Sequence, residues 1–215
     1  MSLSQADIYL ELEIFVKIFS LYGKQEQHMG VKGFTQFIME ELIHNSGDLV
    51  DQEFEILLEE IQKAHHIFLC GKGRSGLAIQ AFANRLMHLG FSVSQIGEIT
   101  SPHSVAGDLL IIGSGSGETE SLIALAGKAK QKGVKVALLT MNRRSTIGRM
   151  ADLCVELPGA SPKTIGMQPT AVSIQPMGSI FEQMMLLSCD GMVLQFMEQM
   201  HQTSDEMFGR HADLE

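Results

Sequence analysis

The sequence predicts an α/β fold: a five-stranded parallel sheet with helices on both faces, preceded by N-terminal helices. Three observations carry this reading. Five short apolar runs recur after residue 65, and helical or connecting sequence separates them. Runs of that kind suit strands buried on both sides, and their alternation with helices indicates a doubly wound domain. About five strands fit that architecture.

Taken in order, residues 6–21 (ADIYLELEIFVKIFSL) and 34–45 (FTQFIMEELIHN) have apolar spacing suited to helices. A third helix covers 49–64, with Asp48 or Asp51 as its N-cap. The strands are HIFLCG (66–71), FSVSQIG (91–97), DLLIIG (108–113), VKVALLT (134–140) and DLCVEL (152–157), and helices occupy 75–89 and 119–132. Residues 158–179 hold four of the five prolines and read as a long irregular loop, of a length that usually serves a function or is mobile. The methionine-rich helix at 179–200 has the spacing of a core or subunit-interface stripe. The resulting organisation is a helical lead-in over 1–45, a ligand-binding domain over 46–200 and a tail over 201–215.

Composition excludes several classes. With 45% apolar and 19% charged residues in 215, the chain has an ordinary globular make-up. No apolar run approaches the roughly 20 residues needed to span a membrane. The N-terminus MSLSQADIYLELEIF is acidic and lacks the regions of a signal peptide, so a soluble cytoplasmic protein is expected. A net charge of −9 argues against nucleic acid as partner, although a local site can still attract an anion. Cys70, Cys154 and Cys189 lack zinc spacing and are expected to be reduced and mostly buried. There is no His-Glu-x-x-His and no clustered ligand set, so no metal is expected.

Two strands end in similar loops, CGKGRSGLA and IGSGSGETES, each opening a helix. Free backbone N–H groups and the positive end of the macrodipole favour an anion there. Glycine permits close approach, and Ser75, Ser114, Ser116 and Thr119 add hydroxyls. Tight turns and N-caps would explain one such loop; two in one sheet point to a phosphate ester, with Gly73, Arg74, Ser75, Ser114, Gly115, Ser116 and Thr119 as its binding residues. GKGRSG also matches the dinucleotide fingerprint, with Glu98 near the end of the second strand, which makes a nicotinamide enzyme a rival. The second, hydroxyl-rich loop is foreign to that fingerprint and lacks the Gly-Lys-Ser/Thr of a nucleotide P-loop.

At these residues the chain resembles the SIS (sugar isomerase) domain family, and most closely its 6-phospho-3-hexuloisomerase branch. GKGRSG, AFANRLMHLGFSV, IGEITSP, GDLLIIGSGSGETESL, IQPMGSIFEQ and MFGRHADLE carry the resemblance over 66–215 in the family's order. Lys72, where a small residue is frequent, and Asp213, where asparagine is usual, depart from its pattern, as does the basic TMNRRSTIG. The resemblance implies a Rossmann-like, flavodoxin-like SIS domain that isomerises D-arabino-hex-3-ulose 6-phosphate and D-fructose 6-phosphate. It implies the ribulose monophosphate pathway of formaldehyde fixation or detoxification, no cofactor, and a homo-oligomer, specifically a tetramer.

Moving a carbonyl between C3 and C2 needs a base at carbon and a group that handles hydroxyl protons. Glu182, at the start of the helix after QPMGS, is the candidate base; by position alone it would equally serve a helix N-terminus. His211, near the end of the sequence, reads as exposed, whereas the resemblance places it in a neighbouring subunit's site for ring opening or proton transfer. Arg85 and His88, spaced i, i+3 on one helix, form a second tier, with a packed histidine as the other reading of His88. Arg74 can offset phosphate or enediolate charge. Another phosphosugar isomerase and a non-catalytic phosphosugar sensor are the alternatives; residues 1–65 are too short and acidic for a sensor's helix-turn-helix module beside the lead-in helix.

Overall fold

The computed structural model describes residues 29–160 and 173–214. The helix read at 6–21 lies outside those residues. The chain divides into two compact units, Met1–Glu40 and Glu41–Glu215. The described part of the first begins helix α1 (Val31–Ser46).

The second unit contains the sheet. Its elements are α2 (Asp51–Lys63), β1 (Ile67–Gly71), α3 (Gly73–Leu89), β2 (Val93–Gln95), β3 (Leu109–Gly113), α4 (Glu120–Gln131), β4 (Lys135–Thr140), α5 (Thr146–Met150), β5 (Leu153–Glu156), α6 (Ser179–Gln199) and α7 (Ser204–Phe208). The strands form one five-stranded sheet in the order β2-β1-β3-β4-β5, with every pair parallel. The expected α/β architecture is therefore present.

Alternation along the strands builds two cores. Ile67 and Leu69, Leu109 and Ile111, and Ala137 and Leu139 join α2, α3 and α6 on one face. Phe68 and Cys70, Leu110 and Ile112, and Val136 and Leu138 join α4 and α5 on the other. Successive side chains of a strand point to opposite faces, so an unbroken apolar run fills both cores at once. α2 contributes Phe54, Leu57, Leu58 and Ile61, an i, i+3, i+4, i+7 stripe facing the first core. Met184, Met185 and Met192 of α6 are buried, which makes much of its methionine stripe core.

The N-cap expectation for α2 is corrected. Val50 occupies that position in extended conformation and makes no side-chain cap, because the helix begins at Asp51 itself. Asp51 and Glu53 instead place negative charge in its first turn. Glu53 also accepts the Glu156 N–H at 2.8 Å and pairs with Arg143, tying α2 to the β5 edge.

Phe82 of α3 is fully buried in the first core. Phe82→Ala is expected to cost about 3–5 kcal/mol of stability, read as a lower denaturation midpoint with little change in slope.

Candidate active site

The site begins where β1 and β3 end side by side. Gly71 and Gly113 are register partners, so both following loops leave the sheet at one level of its carboxyl edge. α3 starts at Gly73 with φ +59°, and the second loop turns at Gly117 with φ +62°, conformations that favour glycine. A Cβ on Gly71 would sit 2.9 Å from Gly76 Cα, which shows how closely α3 starts against its strand. The second loop is fastened to β4. The Ser114 N–H donates to the Leu139 carbonyl at 3.0 Å, the Met141 N–H to Gly115 O at 3.0 Å, and the Thr140 hydroxyl to Gly115 O at 2.9 Å. α4 then opens after Thr119, whose side chain makes no capping bond.

A cleft of about 360 Å³ lies between these loops and the start of α6. All seven expected binding residues line it: Gly73, Arg74, Ser75, Ser114, Gly115, Ser116 and Thr119. Glu182 joins them from the first turn of α6. Arg74 links the two sides, with Nε 3.2 Å from Glu182 Oε2 and Nη1 donating to Ser179 Oγ at 2.9 Å. The Ser179 hydroxyl in turn donates to the Pro176 carbonyl at 2.8 Å. Two helix N-termini, a guanidinium and Lys72 thus surround a hydroxyl-lined cleft, an arrangement suited to a phosphate ester beside a carboxylate.

His211, Arg85 and His88 are elsewhere. They line a second cleft of about 380 Å³ together with Asp190, Ser204 and Phe208. The His88 and His211 rings stack with centroids 5.3 Å apart, and Arg85 Nη1 lies 3.2 Å from His88 Nδ1. Arg210 donates to the His88 carbonyl at 2.9 Å. His88 lies fourteen positions beyond Arg74 along α3, about 21 Å of helix axis. Within this chain, then, the candidate base and the candidate histidine occupy separate clefts. Burial holds the His88 pKa below its ordinary value, with Arg85 and His211 acting in the same direction.

Lys72, Met177, Gly178, Ser179 and Phe181 also line the first cleft and had not been singled out as site residues. Ser179 had a legible signal, a hydroxyl in QPMGS three residues before Glu182. The cysteines form no disulfide, and burial pushes the Cys70 thiol up to about 12 and Cys154 up to about 11. Among the described residues no group of three or more His, Cys, Asp or Glu is arranged for a metal, and no helix is long and apolar enough to cross a membrane.

The family model for the SIS domain matches residues 60–187. The chain belongs to the SIS domain family. It is 47% identical over 184 residues to the 3-hexulose-6-phosphate isomerase of Bacillus subtilis (strain 168), covering 84% of this chain and 98% of that protein. It is 37% identical to the 3-hexulose-6-phosphate isomerase of Methylomonas aminofaciens, covering 81% and 92%. Among solved structures, a Methanococcus jannaschii protein superposes with a TM-score of 0.68 at 32% identity, covering 83% of this chain and 94% of that one. Its crystal structure is described as inferring a 3-hexulose-6-phosphate isomerase function.

Two outcomes follow from this geometry. A Cβ on Gly117 would overlap Ser145 Oγ and occupy an unfavourable φ, so Gly117→Ala is expected to weaken binding of fructose 6-phosphate at least tenfold, measured by calorimetry. His88 gives the second. The unfolded chain takes up this proton near pH 6.5, and the folded chain only at lower pH. The unfolded state therefore binds more protons in that window, and stability falls as pH drops below about 6.5. His88→Gln is expected to flatten that limb of a plot of denaturation midpoint against pH.

Proposed function

We propose that this chain is a 6-phospho-3-hexuloisomerase, interconverting D-arabino-hex-3-ulose 6-phosphate and D-fructose 6-phosphate. The observation that carries the reading is a single cleft in which two phosphate-type loops face Glu182. The 47% identity to the Bacillus subtilis isomerase supports it.

The phosphate of the open-chain sugar lies against Ser75, Ser114, Ser116 and Thr119 and the N-termini of α3 and α4. Arg74 holds Glu182 by Oε2, and Glu182 takes the proton from C2 of the 3-ketose. The electrons of that C–H bond form the C2=C3 bond of an enediolate while the C3 carbonyl becomes an oxyanion. Returning the proton to C3, with net transfer of a proton from O2 to O3, forms the C2 carbonyl. One carbon is oxidised as its neighbour is reduced, so the reaction balances without an external redox partner. The Arg74 guanidinium offsets charge developing on the enediolate.

His211 carries the proton between oxygens, or opens the ring, and does so in a neighbouring subunit's cleft. Its separation from Glu182 within one chain favours that assignment, as does its stacking on His88, which Arg85 contacts in turn. A homotetramer would supply the neighbour. The reaction would serve the ribulose monophosphate route for formaldehyde in the cytoplasm.

The test is isomerase activity of the isolated chain on the hexulose phosphate, with fructose 6-phosphate followed through coupling enzymes and no metal or nicotinamide added to the isomerase step. Glu182→Gln and His211→Ala are each expected to lower kcat by about 10²–10⁴ with folding intact. Mixing the two variants under subunit exchange is expected to restore part of the activity, because hybrid oligomers contain sites with both groups. Phosphosugar binding without turnover would overturn the isomerase reading in favour of a sensor.

A further inference from the structure

We propose that Glu41 is a positioning residue for the candidate active site: it clamps residues 173–175 and so sets where Glu182 stands. The inference rests on the reading of Glu182 as the base. Glu41 is 9% exposed in the last turns of α1, outside the cleft-lining set. A carboxylate removed from water needs donors. Three supply them, all from the chain that leads into α6. Oε1 accepts the Ile174 N–H at 2.9 Å. Oε2 accepts the Ser173 hydroxyl at 2.8 Å and the Gln175 side-chain amide at 2.9 Å.

From that clamp a relay of hydrogen bonds runs to the catalytic candidate. Ser173 Oγ accepts the Gln175 N–H at 3.0 Å, fixing the turn toward Pro176. The Pro176 carbonyl then takes both the N–H and the hydroxyl of Ser179, at 3.2 and 2.8 Å. Ser179 Oγ receives Arg74, and the Glu182 N–H donates to Gly178 O at 3.0 Å. Met177, between the two anchored stretches, has φ +56°. A side chain rarely adopts that conformation unless its surroundings impose it. Leu42 in the same end of α1, and Leu49 in the connection that follows it, also pack on α6 itself, against Ile180 and Met184. Polar and apolar contacts from one place thus hold the loop and the first turn that carries Glu182.

The chemistry of the clamp separates a positioning role from bulk. Every contact uses Glu41 as an acceptor, and both oxygens are engaged. A carboxamide of the same shape accepts at one atom and presents N–H groups to a donor at the other. Glu41→Gln therefore keeps the packing and breaks the clamp. The phosphate loops make no contact with Glu41 among these bonds, so substrate capture and proton abstraction should respond differently.

The experiment compares full-length wild type, Glu41→Gln and Ser173→Ala by hydrogen exchange of the 173–182 peptide, by thermal unfolding, and by kcat and KM on the hexulose phosphate. In Glu41→Gln, exchange is expected to quicken at least tenfold while KM changes less than about threefold. kcat is expected to fall about ten- to a hundredfold, since small misplacements of a reacting group cost that much. Adding Glu41→Gln to Glu182→Gln is expected to lower kcat no further. Ser173→Ala leaves α1 untouched and is expected to act in the same direction, which serves if the first variant folds poorly. Unchanged exchange in a folded variant would overturn the clamp, and quicker exchange with unchanged kcat would overturn the positioning role. Inactive wild type would sink the isomerase reading instead, while the exchange result would still decide the clamp.

Discussion

The site depends on the pairing of β1 with β3, which sets Gly71 opposite Gly113. Both strands are buried on both faces, and each alternates residues between two separate cores. A one-residue slip would exchange every side chain between cores of different shape, so packing holds the register tightly. The ends of the strands are glycine for a related reason. A Cβ at Gly113 would overlap Ile79 of α3, and one at Gly71 would press on the start of that helix and on Gly113 O. Two loops at one height, each feeding a helix N-terminus, are the consequence.

Charge follows from that geometry. The whole chain carries −9, yet the cleft gathers Lys72, Arg74 and the positive ends of α3 and α4. Local placement, not net charge, decides what such a cleft attracts. Arg74 belongs to the phosphate loop and also to Glu182 and Ser179, so it couples the side that would bind to the side that would react. The cluster of Arg85, His88 and His211 lies toward the other end of α3. The chain thus presents two side-chain clusters toward opposite ends of α3.

The central strands were legible because parallel-sheet strands are apolar runs: HIFLCG holds Ile67–Gly71, and DLLIIG holds Leu109–Gly113; β2, a half-buried VSQ, falls inside the mixed segment FSVSQIG. The longer helices followed from their stripes, as in Phe54, Leu57, Leu58 and Ile61. Short elements escaped. α5 and α7 are five residues each, too brief for periodicity, although α7 carries a capping box between Thr203 and Glu206 that its local sequence foreshadows. The Asp48 or Asp51 cap failed because a capping residue is defined by backbone geometry, and Val50 holds that place without a side-chain bond. The bond of Ser179 to Arg74 was not legible because the two are remote in sequence, and the same holds for Glu41 with Ser173, Ile174 and Gln175.

By itself the sequence determined what is local or periodic: the α/β class, the strand positions, and two glycine–serine loops opening helices. Those features arise from side-chain alternation and from backbone needs within a few residues. Only the tertiary structure decided which groups meet. It brought Arg74 to Glu182, left His211 beside His88 in another cleft, and seated Glu41 against the chain that precedes α6. Such pairings depend on how helices cross a sheet, and that crossing is set by the packing of the whole core rather than by any single segment.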